Sequence, residues 1–510
     1  MRQSIRAEGP RAFQGAGTRM RVDGRQTKYR GARRLAGAVT AAALGLGALG
    51  GAAQAATILA QFQGGSYGVS GFVPPDMGGA VGNGDVVQLL NGVATIDTTA
   101  GSLVSQTSLN TFFGQSSTMP LSDPRIIFDP ASQRWFASAI TVPGGNASSQ
   151  NSILIAVSAG ATPTGFTTLS FASANSTTFA DFPTLGVNGA AVTIGTNDFS
   201  TGTGNPFIGS SLYSIPKADL TGATPTLANQ SSFTNYKVVG FTPQGVTNAS
   251  GTGNSTSVLS VSSNAYLLDT VSGANAAGAT LSATATYTSG QIAAAGLLGT
   301  GLAAPTQPGG STYDPGDPRI SSGAYQAGNS IYFANTVNGG SGDQIAWSVL
   351  DATSHGVTAS GTIAIAGLSL TYGSISANIN GTFVVAFNGS GSNQSITDYY
   401  VVCSVATDSC GTPQVAYNHS VGNYYNAPGG TNRWCDYSWT TVDPNNPNNF
   451  WLFQEYAATN FVTGSPSAWG TVITEIGTAI PANVPEPATI ALLGFGLIGL
   501  GVARRRPGRG

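Results

Sequence analysis

Asp123-Pro-Arg-Ile-Ile-Phe-Asp-Pro-Ala-Ser-Gln-Arg-Trp-Phe-Ala-Ser138 reads as a short strand, a Pro-containing polar turn, and a second strand rich in aromatic and small residues. Weaker versions of this unit recur along the chain. They open at Asp76, Asp123, Asp181, Phe241, Asp317, Tyr372 and Asp436, spaced by 47 to 76 residues, and each interval has room for three or four strands. Asn-Gly pairs at Asn83-Gly84, Asn91-Gly92, Asn188-Gly189 and Asn380-Gly381 lie between apolar runs, a strong hairpin signal. Small antiparallel sheets repeated with variable loops predict an all-β fold, a β-propeller of seven blades with three to four strands each. A pair of two-sheet sandwiches and a β-solenoid are the alternatives. A solenoid would show a tighter period, and a sandwich would not restart the same Asp-led strand so regularly.

Composition agrees with this reading. Glycine occupies 70 of 510 positions, nearly double the usual share of about 7%. The apolar fraction is 41% and only 8% of residues are charged, so the chain can bury a sizeable core and is not disordered by composition. Charge is sharply partitioned. Residues 1–34 hold ten Lys/Arg and residues 504–509 hold four, whereas residues 56–484 carry six basic against nineteen acidic residues. A body this acidic lacks the clustered Lys and Arg that neutralise phosphates, which excludes nucleic acid as a partner.

Both ends read as addresses. Arg33-Arg34 precede an apolar Ala/Gly/Leu run from Leu35 to Ala53, which ends in Ala53-Gln-Ala55, the small-x-small form of a signal-peptidase site. The basic region before it is long for a signal peptide, and Met20 is an alternative start. The arginine pair hints weakly at twin-arginine export, with general secretion the better reading. At the other end Pro485-Glu486-Pro487 is followed by an apolar run of fifteen residues, Ala488 to Val502, and then Arg504, Arg505 and Arg506. As a helix the run would span about 22 Å, short of the roughly 20 residues that cross a bilayer core. Its arginines would lie at the cytoplasmic face.

This tail resembles the PEP-CTERM sorting signal of Gram-negative bacteria in its Pro-Glu-Pro triplet, glycine-punctuated helix and terminal arginines. The resemblance covers about the last 25 residues. It implies recognition by an exosortase, removal of the tail after Pro-Glu-Pro, and delivery to the cell surface or the extracellular matrix, often alongside exopolysaccharide. The expected organisation is a signal peptide with an extended basic region at 1–55, a propeller body at 56–483, and a sorting and transient anchor segment at 484–510. A signal helix and a C-terminal hydrophobic helix would flank the body. Asp123 to Phe136, Asp317 to Ile320 and Asp436 to Tyr456 also resemble the blade phrases of propeller-like PEP-CTERM proteins, a group from which no activity is carried over. The expected partners are the export machinery, signal peptidase, an exosortase, and an exopolysaccharide or other surface glycan.

The body offers little chemistry. If each unit starts with its innermost strand, then Asp123, Asp181, Asp317 and Asp436 occupy matching positions at one mouth of the central channel. Arg125 and Arg319 then follow two residues on, along the same strand face. That mouth would bind a cation or a polar glycan. In the plainer reading each Asp accepts backbone N–H groups and pairs with an Arg to lock neighbouring blades. No cofactor is expected; Ca²⁺ could sit among the Asp residues, but no calcium motif supports it. No catalytic or metal-ligating residue is assigned.

A sialidase-like hydrolase acting on polysaccharide is the alternative function, with Arg125, Arg319 and Arg433 as an arginine triad. The Asp-box pattern of that family is only approached by Ser341-Gly-Asp-Gln-Ile-Ala-Trp347. The two histidines, His355 and His419, are too few for His-based zinc sites. Cys403 and Cys410 could close a hairpin as a disulfide, or remain thiols with Cys435. The expected function is therefore a surface or matrix propeller used for binding or scaffolding.

Overall fold

Apolar strands separated by Gly, Asn and Pro turns fold here into seven small sheets set in a ring. The computed structural model describes residues 56–236, 240–249, 253–292, 301–421, 424–425, 432–459 and 467–478. The signal and sorting segments, with the two helices expected in them, lie outside these residues. Among the described residues no helix is long and apolar enough to cross a membrane.

Blade 1 contains Gly78–Gly82, Asp85–Leu90, Val93–Thr98 and Leu103–Ser108, paired antiparallel in chain order from the channel outward. Blades 2 to 6 repeat that plan. Their innermost strands are Leu121–Asp129, Thr178–Asp181, Phe241–Thr247, Ala324–Ala327 and Ser369–Ala377. The inner strands of blades 4 and 5 come close enough to pair directly, in parallel, at Val246–Ala324 and Thr247–Tyr325. Blade 7 is built from both chain ends. Its strands Trp439–Val442, Asn449–Ala457 and Trp469–Gly477 are completed on the outside by Thr57–Ser66. Pairing of that first strand with the last closes the ring, which an isolated Gly-rich lead at the N-terminus did not announce.

Local chemistry explains the turns. Asn83 and Gly84 have φ of 52° and 85°, the two positive values that a tight hairpin needs. After the inner strands of blades 2 and 7 the chain turns at Asp129-Pro and Asp443-Pro. In each, one carboxylate accepts two backbone N–H groups just beyond it, Ala131 and Ser132 or Asn445 and Asn446. Glycine is required where neighbouring blades nearly touch. A Cβ on Gly78 would lie 2.9 Å from the Arg125 Cα, and one on Gly195 would lie 1.9 Å from the Pro243 oxygen.

Between the sheets lies an apolar core. Trp135, Trp434, Trp439, Trp451 and Trp469 are all fully buried, so the aromatic cluster of the last blade is packing material. Cys403 and Cys410 face each other across a strand pair and are disulfide-bonded, while Cys435 is free and buried.

Five blades have one positive-φ residue at their entry, Asp76 (47°), Asp123 (56°), Phe182 (53°), Thr242 (55°) and Tyr372 (54°), and at Asp123, Thr242 and Tyr372 it sits in a bulge of the inner strand. A side chain of an adjacent blade holds each of three such backbones. Asn91 Oδ1 accepts the N–H of Asp123, Asp123 Oδ2 accepts that of Phe182, and Asn197 Oδ1 accepts that of Thr242. These bonds offset the strain of a left-handed non-glycine residue, which is of order 1–3 kcal/mol. The bulge sets a register that differs from the one expected. Asp123 is equivalent to Phe182, so Asp181 stands one residue ahead of its assumed counterpart. Asp317 and Asp436 precede their strands, Ala324–Ala327 and Trp439–Val442, and lie in the approach to the ring.

Candidate functional site

All seven inner strands start at the same end of the channel, and there the acidic and arginine residues gather. The channel is blocked below them by stacked rings and guanidinium groups. Arg125, from the second blade's inner strand, is completely buried. Its guanidinium carbon lies 3.3 Å from the centre of the Tyr437 ring, 4.8 Å from that of Phe182 and 5.4 Å from that of Trp439. Its Nε donates to the Pro183 carbonyl (3.3 Å) and Nη1 to the Ser321 carbonyl (2.8 Å), while buried Nη2 has no hydrogen-bond partner among the described residues. Tyr437 OH donates to the carbonyl of Pro124. One side chain therefore ties blades 2, 3 and 7 to the segment entering blade 5. Burial pulls the Arg125 pKa down, offset by Tyr437, Asp123 and Asp76 nearby.

A second arginine extends the stack toward solvent. Arg319 lies between Phe182 (4.2 Å) and Phe241 (4.8 Å), and Phe241 in turn meets the exposed Phe207 edge-on at 5.3 Å. Asp317 holds it through two bonds, Nε at 2.6 Å and Nη2 at 2.5 Å. On the opposite side of the mouth Arg433 Nη2 contacts Asp436 Oδ1 at 2.5 Å, and its Nε lies 3.6 Å from Asp314. These five charged side chains are 15–30% exposed. They form the rim that solvent reaches.

Beneath the rim are carboxyls that burial makes reluctant to ionise. Asp76 is raised well above the usual carboxylate range by burial and then by the charges of Asp436 and Asp123. Its Oδ2 accepts from Asn91 (2.6 Å) and its Oδ1 from the Asp436 N–H (2.9 Å), joining blades 1 and 7. Asp123 is raised by burial and by Asp436. Asp181, half-buried at the mouth, is pushed up to about 7 by burial and Asp123, against the pull of Arg319. A carboxyl with that pKa changes protonation in the physiological range.

At the far end the channel opens differently. A cavity of ≈ 210 Å³ is walled by the last residues of the inner strands, among them Ile127, Phe128, Tyr325, Ile379, Trp439 and Val442. Asp443 is its one carboxylate, and that group is held by backbone N–H groups and by Trp451 Nε1. Tyr325 OH donates to the Thr440 carbonyl and, with Trp439, separates the funnel from Arg125.

The six site residues taken from sequence do meet at one mouth, in different roles. Asp123 and Arg125 are internal braces: Asp123 holds the next blade's backbone, and Arg125 plugs the channel without reaching a ligand-accessible surface. Asp181, Asp317, Arg319 and Asp436 border the opening. Arg125, Arg319 and Arg433 do not converge as an open triad, because Arg125 is turned onto carbonyls and rings and the others are paired with Asp residues. Asp76, Asn91, Asp314, Phe182, Phe241 and Tyr437 were not singled out as site residues. Asp76 and Phe241, as blade openings, and Asn91, in an Asn-Gly turn, carried a sequence signal for structure; Phe182 and Tyr437 are indistinguishable from core residues until the ring closes. Among the described residues no group of three or more His, Cys, Asp or Glu is arranged to hold a metal ion.

Fold and site define a seven-bladed β-propeller with a polar, arginine-plugged mouth at one end of the channel and an apolar funnel at the other. Residues 483–506 match the model of the PEP-CTERM protein-sorting motif, the processing signal of exosortase substrates, which implies export to the cell envelope or surface of a Gram-negative bacterium. No curated protein sequence matches the chain. Among solved structures it is similar to a subtype N10 neuraminidase-like protein of A/little yellow-shouldered bat/Guatemala/060/2010, at 9% identity over 71% of this chain and 99% of that one, TM-score 0.37. The phage phi92 endosialidase is similar at 9% identity over 81% and 69%, TM-score 0.38. A propeller named Dos1 is similar at 7% over 78% and 77%, TM-score 0.35.

Proposed function

We propose that the protein is a surface-displayed binding propeller whose polar mouth takes a hydroxyl-rich ligand, a surface glycan or exopolysaccharide. The observation that carries this reading is the rim itself: Asp314, Asp317, Asp436, Arg319 and Arg433 remain partly exposed around an opening whose floor is sealed. Carboxylates accept and guanidinium groups donate, the complementary set a polyol needs, and the exposed Phe207 beside Phe241 offers a ring for a sugar face. In the same reading residues 1–55 are the export signal and the tail after Pro485-Glu486-Pro487 is removed by an exosortase.

A hydrolase is the second reading, favoured by one observation: Asp181 is held near pKa 7 beside charged Asp and Arg side chains, the poise of a general acid. A glycan array and a polysaccharide-hydrolysis screen on residues 56–484 separate the two. Binding that is lost in Arg319→Ala and Arg433→Ala, with little change in melting, supports the binding propeller. Release of reducing sugar that disappears in Asp181→Asn replaces it with the hydrolase.

A further inference from the structure

The two mouths are not equivalent with respect to the chain ends. Val442 of the funnel wall is paired with Phe450, Phe450 with Ile476, and Ile476 with Ile58. Thr57 is likewise opposite Gly477, and Gly477 opposite Asn449. Strands lie about 4.8 Å apart, so both chain ends leave the body roughly 14 Å or less from the funnel wall, at the funnel end of blade 7.

We propose that the funnel end is the face held against the membrane while either apolar terminal segment is attached, and that the Asp/Arg mouth points away from it. This rests on the reading of the two ends as membrane-directed segments. Tether length enforces the orientation. Ala53 lies four positions before Thr57, a reach of about 14 Å at full extension. Ala488 lies eleven positions after Gly477, a reach of about 40 Å. The polar mouth lies at the other end of blades whose nine-residue strands, such as Trp469–Gly477, span about 30 Å. The N-terminal tether cannot turn that mouth to the bilayer. The C-terminal one would have to run nearly straight up the outside of the ring.

Apolar side chains are available for the contact: Ile379 at the funnel rim is 64% exposed, and Leu59 and Leu103, near the same ends of their strands, are 52% and 60% exposed. In this orientation the ligand-binding mouth stays open to the exterior before the tail is cut.

The test uses the full chain in vesicles of phosphatidylethanolamine and phosphatidylglycerol containing a nitroxide-labelled lipid. A polarity-sensitive thiol dye is placed at Ile379→Cys on the funnel rim or at Ser149→Cys in the loop Pro143–Gln150 at the polar end, both exposed positions. The native cysteines do not compete, since two are bonded to each other and the third is buried. Quenching several-fold stronger at 379 than at 149 is expected. Equal quenching in a chain that floats with the vesicles, or stronger quenching at 149, overturns the orientation alone. A chain that does not float overturns the membrane reading of the ends and the orientation with it.

Discussion

One channel has two unlike mouths. At the end where the inner strands begin, six Asp and three Arg side chains crowd around stacked rings; at the end where they finish, a funnel is walled mostly by apolar groups. The difference teaches that charge here serves the ring before it serves a ligand. Inner strands converge from seven directions on a space too narrow for large cores, and their backbones arrive at bulges with unpaired N–H groups. Asp76, Asp123, Asn91 and Asn197 meet that need directly, and Arg125 fills the remaining space while bonding two carbonyls. At the funnel end the strands are regular, and apolar side chains share the work with turn residues such as Asp129 and Asp443.

Removal of the plug should do the most damage. Arg125→Ala deletes two charge-assisted bonds and its contacts with three rings, leaving a cavity and orphaned carbonyls at Pro183 and Ser321. A loss of about 3–5 kcal/mol in urea unfolding is expected. A smaller loss for Arg125→Met would assign much of the effect to volume rather than charge. Next in size is Phe182→Ala, which removes the rung between Arg125 and Arg319 and should cost about 2–4 kcal/mol. It should also weaken ligand binding at the mouth, since Arg319 loses one of its two rings. If Phe182→Ala melts like the parent, the stack is not what seals this end.

The third prediction separates the mouths by pH. The carboxyl of Asp181 has its folded pKa raised to about 7 from an ordinary value near 4. Its protonated form is favoured by the fold, so the folded state binds more protons than the unfolded chain between those values. Stability from this group is highest at low pH and falls as pH rises through about 4 to 7. Asp181→Asn should therefore flatten the decline in melting temperature between acidic and neutral pH. An unchanged profile in the variant would remove Asp181 as its source. The smallest effect is expected at the funnel. Ile379→Ser, at an exposed position, should change stability by less than about 0.5 kcal/mol and leave glycan binding intact, while reducing contact with vesicles.

Much of the architecture was readable. Strands such as Ile153 to Val157, Phe383 to Phe387 and Trp469 to Ile476 are apolar, bounded by turn residues, and nearly continuously buried between blades. Outer strands were harder. Leu103–Ser108 and Thr280–Thr288 are mostly exposed and rich in Ser and Thr, so their residues look like loop. The site was readable only in part. Asp123 and Asp181 looked equivalent because both begin a Pro-containing opening, yet Asp123 itself precedes its proline whereas Phe182 does so in the third blade. A shift of one residue sends a side chain to the other face of a strand, and the bulges shift the register further.

By itself the sequence determined the all-β class, the blade repeat, the acidic body and the sorting tail. These follow from local properties: strand periodicity, turn residues, charge and a short contiguous motif. Only the tertiary structure decided that the first strand closes the last blade, that Arg125 is a plug rather than a rim residue, and that the chain ends share the funnel's side. Each depends on pairs such as Thr57 with Gly477 or Arg125 with Tyr437. Residues hundreds of positions apart become neighbours only when ring closure sets their distance, and no local pattern encodes it.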